Sequence, residues 1–179
     1  MNRRFISLLL SALVIQILFA ARTSHGEERK MGNLSIESAA FPHNGMIPAA
    51  HTCDGADTSP PLSIRNVPAK AKTLALIVDD PDAPGKTWVH WVVWNIGADT
   101  AEIPSNTVPA GALQGKNDFG KPAYGGPCPP SGTHRYFFKL YALDAALPLK
   151  AGATKAQIEE AMKGRVLEKA ERIGLYRRK

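Results

Sequence analysis

The stretch WVHWVVWNI, from Trp88 to Ile96, decides the fold class. It is β-branched and aromatic almost throughout and too short for a membrane span, so it reads as a strand buried on both faces. Two neighbours are of the same quality. TLALIV, from Thr73 to Val78, is a continuous apolar run ending at an acidic, proline-bounded turn, and RYFFKLYAL spans Arg135 to Leu143. Upstream, NLSIESA (Asn33 to Ala39) alternates weakly and reads as a first strand. Phe41 to Arg65 is turn-rich, with Pro42, Gly45, Pro48, Gly55, Pro60 and Pro61. Gly120 to Gly132 (GKPAYGGPCPPSG) holds four Gly and four Pro in 13 residues, which excludes helix and ladder and requires a shaped loop. One helix is predicted, from a Thr154-x-x-Gln157 capping box followed by Ile158, Ala161, Met162 and Val166 at helical spacing. Gly164 weakens its middle by roughly 1 kcal/mol relative to Ala. The fold class is therefore mainly β, a sandwich or barrel-like sheet pair with a peripheral C-terminal helix.

The chain has 179 residues and a formal charge of +6, which invites a nucleic-acid reading. The location of the charges argues against it. Arg3 and Arg4 precede a 17-residue apolar run, Phe5 to Ala21, and Ser24-His25-Gly26 offers a small-x-small cleavage site. Residues 1–26 read as a secretory signal peptide, with an uncleaved membrane anchor as the alternative. Without Arg3, Arg4 and Arg22 the balance is 19 basic against 16 acidic residues, or +3, and part of that is the tail Arg177-Arg178-Lys179. Residues 27–179 then form a single domain, exported to a periplasm or secreted. The short tail lacks a stacking platform for nucleic acid, and its contact with a membrane is peripheral at most.

Export places Cys53 and Cys128, the only cysteines, in an oxidising compartment. They form either one disulfide or two buried thiols that never meet. A lone pair is too few for a zinc site of the paired CxxC type, no HExxH is present, and nothing calls for a metal or cofactor.

Three features carry chemistry. Asp79-Asp80-Pro81-Asp82-Ala83-Pro84 presents carboxylates at a strand end on a backbone stiffened by two prolines. Alone it is an ordinary solvated turn. His90 lies within a strand, and regular alternation puts it on one face with Trp88, Val92 and Trp94. Alone it is a satisfied core histidine. His134 and Tyr136 share a face at the start of the last apolar run, just after the glycine–proline loop, and alone they are a polar strand edge. Jointly they place two imidazoles, a phenol and one or two carboxylates beside rigid loops, where pockets form. Imidazoles beside carboxylates become cationic donors, and free loop amides add to an anion site. Such a site weakens as pH rises and the histidines lose charge.

These segments resemble the phosphatidylethanolamine-binding protein family, in its bacterial Raf kinase inhibitor-like branch. The resemblance rests on Asp80 to Pro84, Trp88 to Asn95 and Tyr124 to Tyr136, with Thr52-Cys-Asp-Gly55 and Ser59-Pro-Pro-Leu62. It runs from Ser35 to Tyr176. It implies a two-sheet β-fold with a small anion cavity near the C-terminal helix, for phosphate or a phosphoethanolamine-like head group. By resemblance, Asp80, Trp88, His90, His134 and Tyr136 are pocket residues, and Gly126, Pro129 and Pro130 form its wall. The loop before His134 is shorter than in the animal proteins, and the C-terminal region differs from them.

The expected function is a non-enzymatic binding protein for a small anionic ligand. The alternative is a regulator that binds a protein partner, inhibiting a protease or kinase, although no inhibitory loop is visible. Hydrolysis through Asp80 and His90 lacks a nucleophile, since no elbow motif surrounds Ser131.

Overall fold

The computed structural model describes residues 33–178. The segment read as a signal peptide, residues 1–26, lies outside them. In chain order the elements are β1 (Ser35–Glu37), β2 (Gly45–Met46), a 3₁₀ turn (Ala49–His51), β3 (Leu62–Arg65), β4 (Thr73–Asp80), β5 (Trp88–Gly97), β6 (Glu102–Ile103), β7 (Leu113–Gln114), β8 (His134–Leu143), α1 (Lys155–Met162) and β9 (Val166–Tyr176). The strands form two sheets. A three-stranded sheet has the order β1-β3-β6, and a six-stranded sheet the order β2-β9-β8-β4-β5-β7, antiparallel except for the β2–β9 pair. Among the described residues no helix is long and apolar enough to cross a membrane.

The three apolar runs become the central strands β4, β5 and β8, which is why they are apolar on both faces. From β4, Leu74, Leu76 and Val78 pack toward the small sheet, against Ile36, Leu62, Ile64 and Ile103. Ala75 and Ile77 point the other way, into a second core that Ile158 and Met162 of α1 complete. The large sheet is thus the middle layer, with the small sheet on one side and α1 on the other.

Three expectations are corrected. β4 does not stop at Val78 but runs through Asp79 and Asp80, so these carboxylates are strand residues on opposite faces rather than members of one turn. In β5 the alternation breaks: Asp79 pairs with Val89 and Val78 with Trp91, leaving His90 as the extra residue of a bulge. Val92 and Trp94 therefore belong to the helix-side core, while His90 packs on Tyr136 of the opposite core. Finally, the helix closes at Met162, not Val166. Gly164 takes φ +72°, a left-handed conformation that ends the helix, and Val166 opens the 11-residue strand β9. The capping box is present in full, with Thr154 and Gln157 each bonding the other's backbone. Two short strands, β2 and β3, lie inside the turn-rich segment from Phe41 to Arg65.

Candidate anion pocket

At one end of the large sheet, where β4 finishes and β5 and β8 begin, lies a cavity of about 320 Å³. That is the lower end of the range for small-molecule sites, roughly 300–1,000 Å³. Asp80, Ala83, Pro84, Trp88, His90, Phe119, Cys128, Pro129, Pro130 and His134 line it.

Alternation along β4 turns Asp80 toward this cavity, while β8 brings His134. His134 donates from Nδ1 to Asp80 Oδ2 at 2.7 Å, both side chains being almost fully buried. Asp80 Oδ1 accepts the Asp82 amide at 2.8 Å, so both carboxylate oxygens are engaged. His90 is held differently. Its Nδ1 donates to the Gly125 carbonyl at 2.6 Å, and the Gly125 amide returns a bond to the His90 carbonyl at 3.0 Å. Burial lowers the His90 pKa, outweighing the opposite pull of the Gly125 carbonyl, Asp80, the Gly126 backbone and Asp79. The expected pair of cationic imidazoles is thus corrected: His134 has the carboxylate partner, and His90 is a neutral ring on a carbonyl.

The loop amides are corrected as well. The Gly125 amide is spent on His90 and the Gly126 amide on Asp57 Oδ1 at 2.6 Å, so neither is free for an anion. Gly126 does not line the cavity. Its place is a close approach behind the wall, where an added Cβ would sit 2.7 Å from both the His51 carbonyl and the Thr52 Cα. Cys53 and Cys128 are disulfide-bonded with Cα atoms 5.4 Å apart, and Tyr124 donates to the His51 carbonyl at 2.8 Å. The loop is therefore a wall fastened to the 51–57 segment, and Pro129 and Pro130 are its cavity surface.

Tyr136 stands behind His90, ring edge on ring face at 5.1 Å. Its hydroxyl is buried with no hydrogen-bond partner among the described residues, and burial raises its pKa, with Asp80 adding to the effect. The Trp88 Nε1–H is likewise buried and unpartnered. Trp88 lines the cavity and Tyr136 does not: the tyrosine stands one layer behind His90, with its hydroxyl near the Asp80 carboxylate and the Cys128 backbone.

Phe119, Ala83 and Pro84 complete the lining without having been singled out as site residues. Phe119 packs edge-on against both Trp88 and His90 at 5.5 Å. Asn117 fixes it there, its Oδ1 accepting the amides of Phe119 and Lys121 while Nδ2 donates to the Ala123 carbonyl. The only sequence signal is one phenylalanine inside the polar turn Asn117-Asp-Phe-Gly120. Among the described residues, no cluster of three His, Cys, Asp or Glu side chains could hold a metal ion.

A family model described as phosphatidylethanolamine-binding protein matches residues 37–177. A UPF0098 protein of Methanothermobacter thermautotrophicus is 53% identical over 150 residues, covering 81% of this chain and 99% of its own. Among solved structures, the phosphatidylethanolamine-binding protein homologue CT736 of Chlamydia trachomatis superposes with a TM-score of 0.80 at 39% identity, covering 83% of this chain and 99% of that one. YbcL of Escherichia coli, described as a member of the mammalian family, gives a TM-score of 0.78 at 33% identity, covering 83% and 100%. The two-sheet architecture and the family model agree over nearly the whole described chain, and the protein belongs to the phosphatidylethanolamine-binding protein family.

Proposed function

We propose that this chain is an exported binding protein, without catalytic turnover, whose pocket takes a small anion: phosphate or a phosphoethanolamine-like head group. The observation that carries the reading is the convergence on one small cavity of the His134–Asp80 pair, His90 and Trp88, whose Nε1–H has no partner among the described residues. An unused donor on a cavity-lining residue is suited to a ligand oxygen. Binding rather than catalysis is supported by what the imidazoles hold. Their Nδ1 atoms are bonded to a carbonyl and a carboxylate, and no hydroxyl or thiol nucleophile is hydrogen-bonded to either ring among the described residues. Export is supported by the basic start and apolar run at residues 3–21 and by the disulfide, a bond that persists in oxidising compartments. Protein recovered from the cell envelope should begin at Glu27.

Calorimetry with inorganic phosphate and phosphoethanolamine tests the pocket. Saturable binding at or below millimolar ligand, lost in His134→Ala, is expected. The absence of heat with either ligand, or full binding in the variant, overturns the assignment.

A further inference from the structure

Resting on that reading of the pocket as an anion site, we infer that it selects anions that carry a hydrogen. It should take hydrogen phosphate and phosphomonoesters over sulfate and phosphodiesters, hence a free monoester head group rather than the diester of an intact phospholipid. The Gly125 carbonyl can only accept, so the 2.6 Å contact fixes the His90 proton on Nδ1. In the neutral ring Nε2 is then a bare acceptor on the wall of the cavity, and none of the described residues hydrogen-bonds it. Burial keeps the ring neutral against everything around it that favours a charge: Asp80 and Asp79 at the end of β4 and the Gly125 and Gly126 backbone of the loop. Tyr136 and Phe119 close its sides as rings, and Asp118 lies within electrostatic reach.

A ligand oxygen meets this nitrogen favourably only by donating to it. Sulfate and a phosphodiester have no hydrogen, so they set lone pair against lone pair and leave a buried acceptor unpaired; hydrogen phosphate keeps one at every pH near neutral, and a phosphomonoester, whose second pKa is about 6, keeps one in its monoanion. A P–OH group supplies the missing bond, while the remaining oxygens accept from Trp88 Nε1 and His134. Phosphate-sized tetrahedral anions are thereby sorted by protonation rather than by shape.

The test is calorimetry at pH 6.5, where a His90 pKa lowered from 6.5 leaves the ring mostly neutral and part of the monoester is still monoprotonated, with four probes: inorganic phosphate, sulfate, methyl phosphate and dimethyl phosphate. Phosphate and methyl phosphate should bind at least about tenfold more tightly than sulfate and dimethyl phosphate, the ratio expected for one unmade hydrogen bond to a buried group. Equal binding of phosphate and sulfate overturns the selection rule and leaves the anion pocket standing. Failure of all four to bind overturns both. Imidazole ¹⁵N spectra give an independent readout: ligand-free His90 should be protonated on Nδ1 alone, with Nε2 gaining a hydrogen bond on adding phosphate but not sulfate. An imidazolium His90 in the free protein overturns the inference.

Discussion

Asp79 and Asp80 are consecutive residues of one strand, chemically identical, and the pleat sends them to different fates. Asp79 turns toward α1, fully buried, where Lys139 of β8 approaches at 2.7 Å and Lys155 of the helix at 2.5 Å. It ties three elements together and faces no cavity. Asp80 turns the other way and holds one histidine at the edge of a pocket. The difference teaches that burial and pairing do not by themselves mark a functional carboxylate. What distinguishes Asp80 is that its partner has a further ring nitrogen beside open space, whereas the charge of Asp79 is consumed within the fold.

The largest expected effect is on the structural side. Asp79→Ala leaves two ammonium groups without their shared counter-charge, at a cost of about 3–5 kcal/mol for breaking a buried pair. Chemical denaturation should show this as a lower midpoint with an unchanged slope, and phosphate affinity of the remaining folded protein should be unaltered. Next comes the disulfide. Its cysteines are 75 residues apart, so Cys53→Ser with Cys128→Ser should cost about 2–4 kcal/mol through loop-closure entropy. It should also weaken ligand binding, because Cys128, Pro129 and Pro130 are cavity wall. Asp80→Asn should invert the pattern of Asp79→Ala, lowering phosphate affinity about tenfold at a smaller stability cost of about 1–3 kcal/mol, since the amide oxygen still accepts from His134 while its NH2 is left facing the Asp82 amide. If Asp80→Asn unfolds the protein as readily as Asp79→Ala does, the distinction between the two carboxylates is broken.

Much of this was legible from residues alone, for physical reasons that differ by element. The central strands could be read because a strand covered on both faces must be apolar throughout, and 73–78, 88–96 and 135–143 are the stretches that meet that demand. β9 could not, because its outer half (Glu168, Lys169, Glu171, Arg172) is half-exposed and its charges mimic a helix surface. In the pocket, identity was easier than role. His90 and His134 look alike in sequence, and only the bulge that turns His90 onto Gly125 separates a neutral acceptor from the partner of a carboxylate. The Gly125 and Gly126 amides failed as predicted donors because backbone satisfaction is a property of the whole chain, and Asp57, which takes one of them, lies 69 residues away.

The smallest effect concerns the third carboxylate of the same segment. Asp82 meets Arg135 in a fork, Nε at 2.9 Å and Nη2 at 2.7 Å, and also accepts the Arg135 amide at 2.9 Å. The Arg135 guanidinium holds its carboxyl at about 2, down from 3.8. A folded-state pKa below the unfolded one means that the pair's contribution is complete above pH 3.8 and disappears as pH falls toward 2. Because the arginine side chain is half-exposed, water and salt screen the pair, and near pH 7 its removal should leave the unfolding midpoint almost unmoved. Arg135→Ala should therefore act on titration more than on stability. By NMR the Asp82 midpoint should rise toward 3.8, while phosphate affinity stays at the wild-type value, since neither Asp82 nor Arg135 lines the cavity. A loss of affinity matching that of Asp80→Asn would place the anion contact at the rim rather than at the buried His134–Asp80 pair, and so redraw the boundary between the carboxylate that serves the ligand and those that serve the fold.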